Sequence, residues 1–133
     1  MGDGRGGSRA PLAAKVPEIT ALFWLAKVLT TGMGEAASDY LAALSIPLAA
    51  VVGLSGFVVA MWVQLRTRRY QAWAYWFAVA MVAVFGTMAA DALHVVLHIP
   101  YTVTTAGYAV ALVAVLVVWH RTEGTLSIHS ITT

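Results

Sequence analysis

The stretch FWLAKVLTTGMGEAASD, residues 23–39, reappears in outline as YWFAVAMVAVFGTMAAD at residues 75–91. Each stretch has an aromatic-Trp pair, then a glycine ten residues after the tryptophan, then an aspartate five residues later. A shift of 52 residues superimposes these positions. The equivalent residues are Trp24 and Trp76, Gly34 and Gly86, and Asp39 and Asp91. Similarity at one fixed period predicts a chain built from two copies of one structural unit.

The composition is that of a membrane protein. Of the 133 residues, 60% are hydrophobic and only 11% are charged, and the mean hydropathy is +0.79. About 20 helical residues cross the hydrocarbon layer of a bilayer, and backbone groups in lipid must bond within their own segment. The sequence therefore predicts an all-α fold with four transmembrane helices. The expected spans are 18–41, 47–65, 72–97 and 101–119. Pro17 suits a first helical turn, and Pro47 and Pro100 suit the starts of the second and fourth spans.

The basic residues predict the topology. All but one of the eight lysines and arginines fall before the first span, between the second and third, or after the fourth. By the positive-inside rule these three regions share the cytoplasmic side, so both termini are expected there. Because each unit crosses the membrane twice, the two units form parallel repeats. The expected location is the inner (plasma) membrane of a bacterium, and no solvated basic face indicates nucleic-acid binding.

The expected organisation has four parts. They are a cytoplasmic tail at 1–14, a first repeat at 15–66, a second repeat at 67–119 and a cytoplasmic segment at 120–133. The turn sequence LSIP at 44–47 matches LHIP at 97–100, but at a shift of 53 residues instead of 52. A tight outer turn is therefore expected at each Ile-Pro.

The chain resembles a bacterial family of uncharacterised membrane-anchored proteins built from tandem two-span repeats with a tryptophan. The resemblance is carried by KVPEITALFW, the Trp-Gly-Asp repeat, GTMAADALHVVLHIPY and RTEGTLSIHSI, and it covers residues 15–131. Family members typically carry four such repeats and have no established activity. The resemblance implies either a half-length member that dimerises to restore four repeats or a truncated chain.

Polar residues recur along both long helices. A charge at the centre of a bilayer costs about 3 kcal/mol or more, so such groups normally face protein or a water-filled cavity. Lys27 falls near the middle of its span and is expected to pair with Glu35 or Asp91. The residues expected to line a transport path are Lys27, Thr31, Glu35, Asp39, Thr87 and Asp91. The alternative is that these residues only fasten helices together.

Three potential metal ligands follow one another near the outer turn. On an α-helix Asp91, His94 and His98 fall, with Thr87, on one narrow line. Histidines four residues apart can reach one ion, and this ligand set without sulfur would suit Zn²⁺, Mn²⁺, Fe²⁺, Co²⁺ or Ni²⁺. The competing interpretation is a solvated interfacial histidine at position 98. No cofactor is certain, and a divalent metal ion is the candidate.

The repeated tryptophans and glycines have two interpretations. Tryptophan commonly anchors a span at the membrane interface, whereas recurrence in both units indicates packing between repeats. Small residues let helices approach closely. The residues expected at the repeat interface are Trp24, Gly34, Trp76 and Gly86. The two long helices are expected to pack at the centre, with the second and fourth spans facing lipid or a partner.

These observations lead to one functional hypothesis and two alternatives. The chain is expected to be a small transporter or channel subunit for a divalent metal or other small cation, acting as a homodimer in the bilayer. A non-transporting scaffold is the alternative, and a membrane sensor is a third. No phosphate-binding loop and no plausible catalytic triad are found in the sequence, so an enzyme is not expected.

Overall fold

The computed structural model describes residues 16–127, and within them every regular element is helical. The all-α prediction is therefore confirmed. The elements are α1 (Ala21–Leu44), α2 (Ile46–Arg66), α3 (Ala72–Asp91), a π-helical segment (Ala92–Val96) that continues from α3, and α4 (Tyr101–Glu123). The predicted tail at 1–14 and the end of the C-terminal segment lie outside the described residues.

The first helix begins and ends about three residues later than the sequence predicts. Thr20 caps it, because its hydroxyl accepts a hydrogen bond from the Phe23 N–H at 3.2 Å. The expectation that Pro17 lies in the first turn is wrong, since Pro17 precedes the cap. Ser45 caps α2 in the same way, and there Pro47 does lie in the first turn.

The two long helices α1 and α3 run parallel. The Phe23 and Trp76 rings are 5.7 Å apart near the start of both helices. Further along both helices, Gly34 lies so close to Ala83 that a Cβ built on the glycine would be 2.5 Å from the alanine Cβ. Because the second contact involves later residues on both helices, the two helices run in the same direction. The predicted central packing of these helices is confirmed, and it is the most extensive helix pair in the fold.

The second helix packs against α3 in the opposite direction. Phe57 stacks on Phe85 with ring centroids 4.7 Å apart. Gly53, earlier in α2, faces Met88, later in α3, and a Cβ there would overlap the methionine sulfur. Thus α3 packs against both α1 and α2, which also contact each other, while α4 contacts the rest of the described chain mainly through the π-helical segment.

Three helical segments are long and apolar enough to cross a membrane, namely Ile46–Arg66, Ala72–Val96 and Tyr101–Glu123. Large apolar side chains such as Leu54, Val110 and Val115 are exposed on them, as expected of surfaces that lipid covers. Helix α1 does not meet the same combination of length, hydropathy and low charge among the described residues. It carries Lys27, Glu35 and Asp39.

Candidate functional site

A cavity of about 320 Å³ lies where α1, α2, α3 and the π-helical segment meet. Alanine, valine, isoleucine and methionine side chains form most of its wall, and its polar lining residues are Ser38 and Asp91. Asp91 is the last residue of α3 and is only partly exposed. The cavity is open on one side and offers a single, partly exposed carboxylate among apolar side chains.

Ser38 is the buried polar residue of this cavity. It is 1% exposed, and its hydroxyl has no hydrogen-bond partner. A buried hydroxyl left without a partner costs roughly 1–3 kcal/mol, so native proteins usually satisfy it with protein, water or ligand. Ser38 and Asp91 are thus the two polar residues of the cavity wall. Sequence reasoning missed Ser38, because its repeat equivalent is Ala90 and no motif marks it.

The π-helical segment forms one wall of the cavity, and a one-residue insertion accounts for it. Pro47 follows Asp39 by eight residues, whereas Pro100 follows Asp91 by nine. A single extra residue within a helix is accommodated as a π turn, and such turns are frequent at functional sites. The change in repeat shift from 52 to 53 was the sequence signal for this feature.

The insertion also breaks the predicted line of polar side chains. Thr87 and Asp91 share one face of α3, but the helix widens into the π turn immediately afterwards. His98 has left the helix altogether, with φ of 56°. The expectation of one continuous α-helical line through His94 and His98 is wrong.

His94 links the π turn to α4. Its Nδ1 lies 3.0 Å from the carbonyl oxygen of Ile99, and its ring stacks on Tyr101 with centroids 3.6 Å apart. The ring nitrogen donates to this oxygen, because a carbonyl oxygen can only accept a hydrogen bond. His94 therefore connects the outer turn to the start of α4.

His98 terminates the helix. The N–H of Ile99 donates to the carbonyl of Leu93, six residues earlier, at 3.1 Å, and His98 lies between them in the left-handed conformation that commonly ends helices. Histidine adopts this conformation more readily than most residues, though less readily than glycine. The geometry gives His98 a structural role that sequence reasoning did not assign.

We expect His98→Gly to keep the outer turn intact and His98→Val to destabilise it by about 1–2 kcal/mol, because a β-branched residue is strained at positive φ. Thermal unfolding in detergent, followed by helical circular dichroism, measures the difference. Equal loss in both variants would contradict the backbone role and point to the imidazole.

Polar residues of α1 leave the α1–α3 interface as the helix proceeds. Lys27 is half-buried, whereas Thr31, Glu35 and Asp39 are exposed in a single chain. The hydroxyl of Thr31 donates to the Lys27 carbonyl at 2.9 Å, just as Thr87 donates within α3. Of the residues predicted to line the path, Asp91 is therefore the one that lines the cavity within one chain.

The predicted ion pair between Lys27 and Asp91 is wrong. Gly34 is level with Ala83 in the parallel helices. Lys27 lies seven residues before that level and Asp91 eight residues after it. At a rise of about 1.5 Å per residue the two are separated by about 22 Å along the axes. Glu35 is eight residues from Lys27 on the same helix, about 12 Å away, which is also too far for a direct pair.

No group of three histidine, aspartate or glutamate side chains within residues 16–127 is arranged to hold a metal ion. Glu35, Asp39, Asp91, His94 and His98 thus do not supply such a group within the described part of one chain. Metal binding by Asp91, His94 and His98 stays a prediction.

The four residues predicted at the repeat interface divide into two pairs. Gly34 and Trp76 lie in the α1–α3 contact. Their repeat equivalents do not, since a Cβ on Gly86 meets nothing within 4 Å and Trp24 is 58% exposed. In each repeated pair, one residue therefore lies in the α1–α3 contact and the other lies outside it.

Comparison with protein families identifies the family of this chain. The model of a family described as Repeat of Unknown Function (DUF347) matches residues 22–70 and again residues 74–125. No curated protein and no solved structure matches the chain. The two matched segments correspond to the two copies of the structural unit.

Proposed function

This chain belongs to the family described as Repeat of Unknown Function (DUF347), and because that description assigns no activity, we propose a function from the site itself. The protein is a small integral membrane transporter or channel subunit for a small cation. The observation that supports this most is the cavity holding Asp91 and the unpartnered Ser38 hydroxyl. A carboxylate kept among apolar helices is a binding group for a cation, since ionisable residues within spans commonly mark ion and substrate pathways.

In this proposal all four helices cross the membrane, with both termini on the cytoplasmic side. The ends of α2 support this orientation. Arg66 ends the helix with its guanidinium 4.4 Å from the centroid of the Trp62 ring, and Arg68 and Arg69 follow. Aromatic and basic residues at one end are typical of a cytoplasmic interface. Helix α1 then crosses with its charged residues facing protein, which requires a second copy because Glu35 and Asp39 are exposed in one chain.

The cavity favours an organic cation over a divalent metal as cargo. Hard divalent cations take about six or more oxygen ligands, and divalent transition metals take several convergent histidines and carboxylates. The cavity offers one carboxylate and one hydroxyl among alkyl side chains. A small alkylammonium ion fits this chemistry, because its nitrogen pairs with Asp91 while its carbons lie against Met88 and Val95.

The test is a flux measurement with the purified chain in liposomes. We expect saturable uptake of radiolabelled methylammonium above that of protein-free liposomes, and competition by larger alkylammonium ions. Uptake of Mn²⁺ in place of methylammonium would favour the metal version built on Asp91, His94 and His98. Absence of uptake for both cations would contradict transport.

A non-transporting scaffold is the second candidate. It is favoured by the hydroxyls of Thr30, Thr31 and Thr87, which all donate to carbonyls of their own helices, so that these three hydroxyls do not donate into a path. It predicts that the liposomes show neither flux nor cation binding while the protein still assembles.

A further inference from the structure

The packing between the two repeats is asymmetric, because the face that the first repeat uses differs from the face that the second repeat uses. Gly34 of the first repeat lies against Ala83 and Val84 of the second. The repeat equivalent of Gly34 is Gly86, and the equivalent of Ala83 is Thr31. If the repeats packed symmetrically, Gly86 would face Thr31, but a Cβ on Gly86 meets nothing and Thr31 is exposed. The chain therefore keeps one unused copy of each side of its own interface.

We propose that a second copy of this chain fills both open sides. The Gly86 face of α3 packs on the partner's Thr31, in the way that Gly34 packs on Ala83. The same contact, exchanged between the copies, then closes a two-fold dimer in which four long helices surround one axis. A contact between two different surfaces gives a closed ring when the rotation that relates successive units completes a full turn. Here two chains, with two repeats each, complete that ring. This dimer shares one assumption with the proposed function, namely that α1 crosses the membrane.

The aromatic residues specify the register of this contact. Phe23 packs on Trp76 across α1 and α3. Their repeat equivalents are Tyr75 and Trp24, which is 58% exposed in the single chain. Docking therefore places Tyr75 against the partner's Trp24. The repeated aromatic-Trp pair is thus used twice, once within the chain and once between copies.

Docking also encloses the charged residues of α1. The face of α3 that meets α1 carries Thr87 and Asp91, and its equivalent on α1 carries Glu35 and Asp39. Both of these carboxylates are exposed in one chain, which is unfavourable against lipid. In the dimer Asp39 takes the position beside the partner's α3 that Asp91 has beside α1. The dimer therefore has two Asp91 sites and two Asp39 sites around its axis.

Helix α4 gains a partner by the same rule. It buries no residue within the described chain. Its repeat counterpart α2 packs on α3 through Phe57, which stacks on Phe85. At the 53-residue shift Phe57 corresponds to Val110, and Phe85 corresponds to Met33 at the 52-residue shift. Val110 and Met33 are 70% and 54% exposed, and docking brings Val110 onto the partner's Met33.

Cysteine cross-linking in native membranes tests the docking, since the chain has no cysteine of its own. Full-length Tyr75→Cys and Trp24→Cys chains with different tags are expressed together and treated with a short bismaleimide. We expect a product of twice the chain mass that carries both tags. Each variant expressed alone should give none, because each cysteine then faces an aromatic residue.

The double variant Phe23→Cys with Trp76→Cys is the positive control, and it should close within one chain. Absence of the two-tag product while this control reacts would overturn the docking. A product from Tyr75→Cys alone would also overturn it, because two α3 helices would then face each other.

A glycine pair gives a second, independent measurement. We expect light scattering in detergent to give a dimer for the unaltered chain and for Gly107→Leu but a monomer for Gly86→Leu, although both glycines have open space in a single chain. Equal behaviour of the two variants would mean that Gly86 faces only lipid. Cross-linking without cation flux would remove the proposed transport and keep the docking, and flux without cross-linking would do the reverse.

Discussion

Replacing Gly34 by alanine is expected to destabilise the protein by about 1–3 kcal/mol, which is the usual range for overpacking a close contact. The new Cβ would lie 2.5 Å from the Cβ of Ala83 and 3.0 Å from the carbonyl carbon of Ala83 and the amide nitrogen of Val84. Two of these atoms belong to the backbone and cannot rotate away. The helices α1 and α3 must therefore separate, and the cavity between them opens with them.

Unfolding by titrated denaturing detergent in mixed micelles measures this loss. The matched control is Gly107→Ala in α4, where the added methyl group meets nothing within 4 Å. In the control, a glycine in a helix interior becomes alanine without a clash, so we expect a gain of about 0.5–1 kcal/mol. If Gly34→Ala is as stable as this control, α1 and α3 are not in the contact described above.

The helical architecture could be predicted because it follows from patterns that the sequence displays directly. Apolar runs of membrane length predict the helices, and the repeat of Trp24 at Trp76 predicts two parallel long helices that pack together. The observed ends of α1 differ from the predicted ends by about three residues, because the Thr20 hydroxyl caps the helix and so decides where it begins.

The site was harder to predict for two physical reasons. Ser38 becomes important only because three helices close over it, and burial of a hydroxyl leaves no trace in its neighbours along the chain. Gly34 and Gly86 have the same sequence context, yet the asymmetric packing uses one and leaves the other open. Equivalence in sequence therefore does not imply equivalence in contact.

The π turn is an intermediate case. Its signal, nine residues from Asp91 to Pro100 against eight from Asp39 to Pro47, is visible in the sequence. An angular projection that assumes 100° per residue cannot represent an inserted residue, and it placed His94 and His98 on the line of Asp91 for that reason.

Replacing Asp91 by asparagine is expected to reduce cation affinity about a hundredfold. The substitution keeps the size of the side chain and removes the negative charge that the cavity offers. Removing one partner of an enclosed charge pair costs about 3–5 kcal/mol, and the partial exposure of Asp91 places the effect near the lower value of about 3 kcal/mol. Ser38→Ala removes a neutral hydrogen bond and is expected to cost roughly tenfold or less.

The measurement is methylammonium binding and flux by the purified chain in liposomes, and it needs controls for charge and for folding. Asp91→Glu restores the charge and should recover part of the affinity, which loss of folding would not allow. Glu123→Gln removes a carboxylate at the exposed end of α4, away from the cavity, and should leave affinity unchanged. If Asp91→Asn binds methylammonium as the unaltered chain does, the carboxylate is not the binding group. The cavity is then a packing defect between helices, and the scaffold becomes the better proposal.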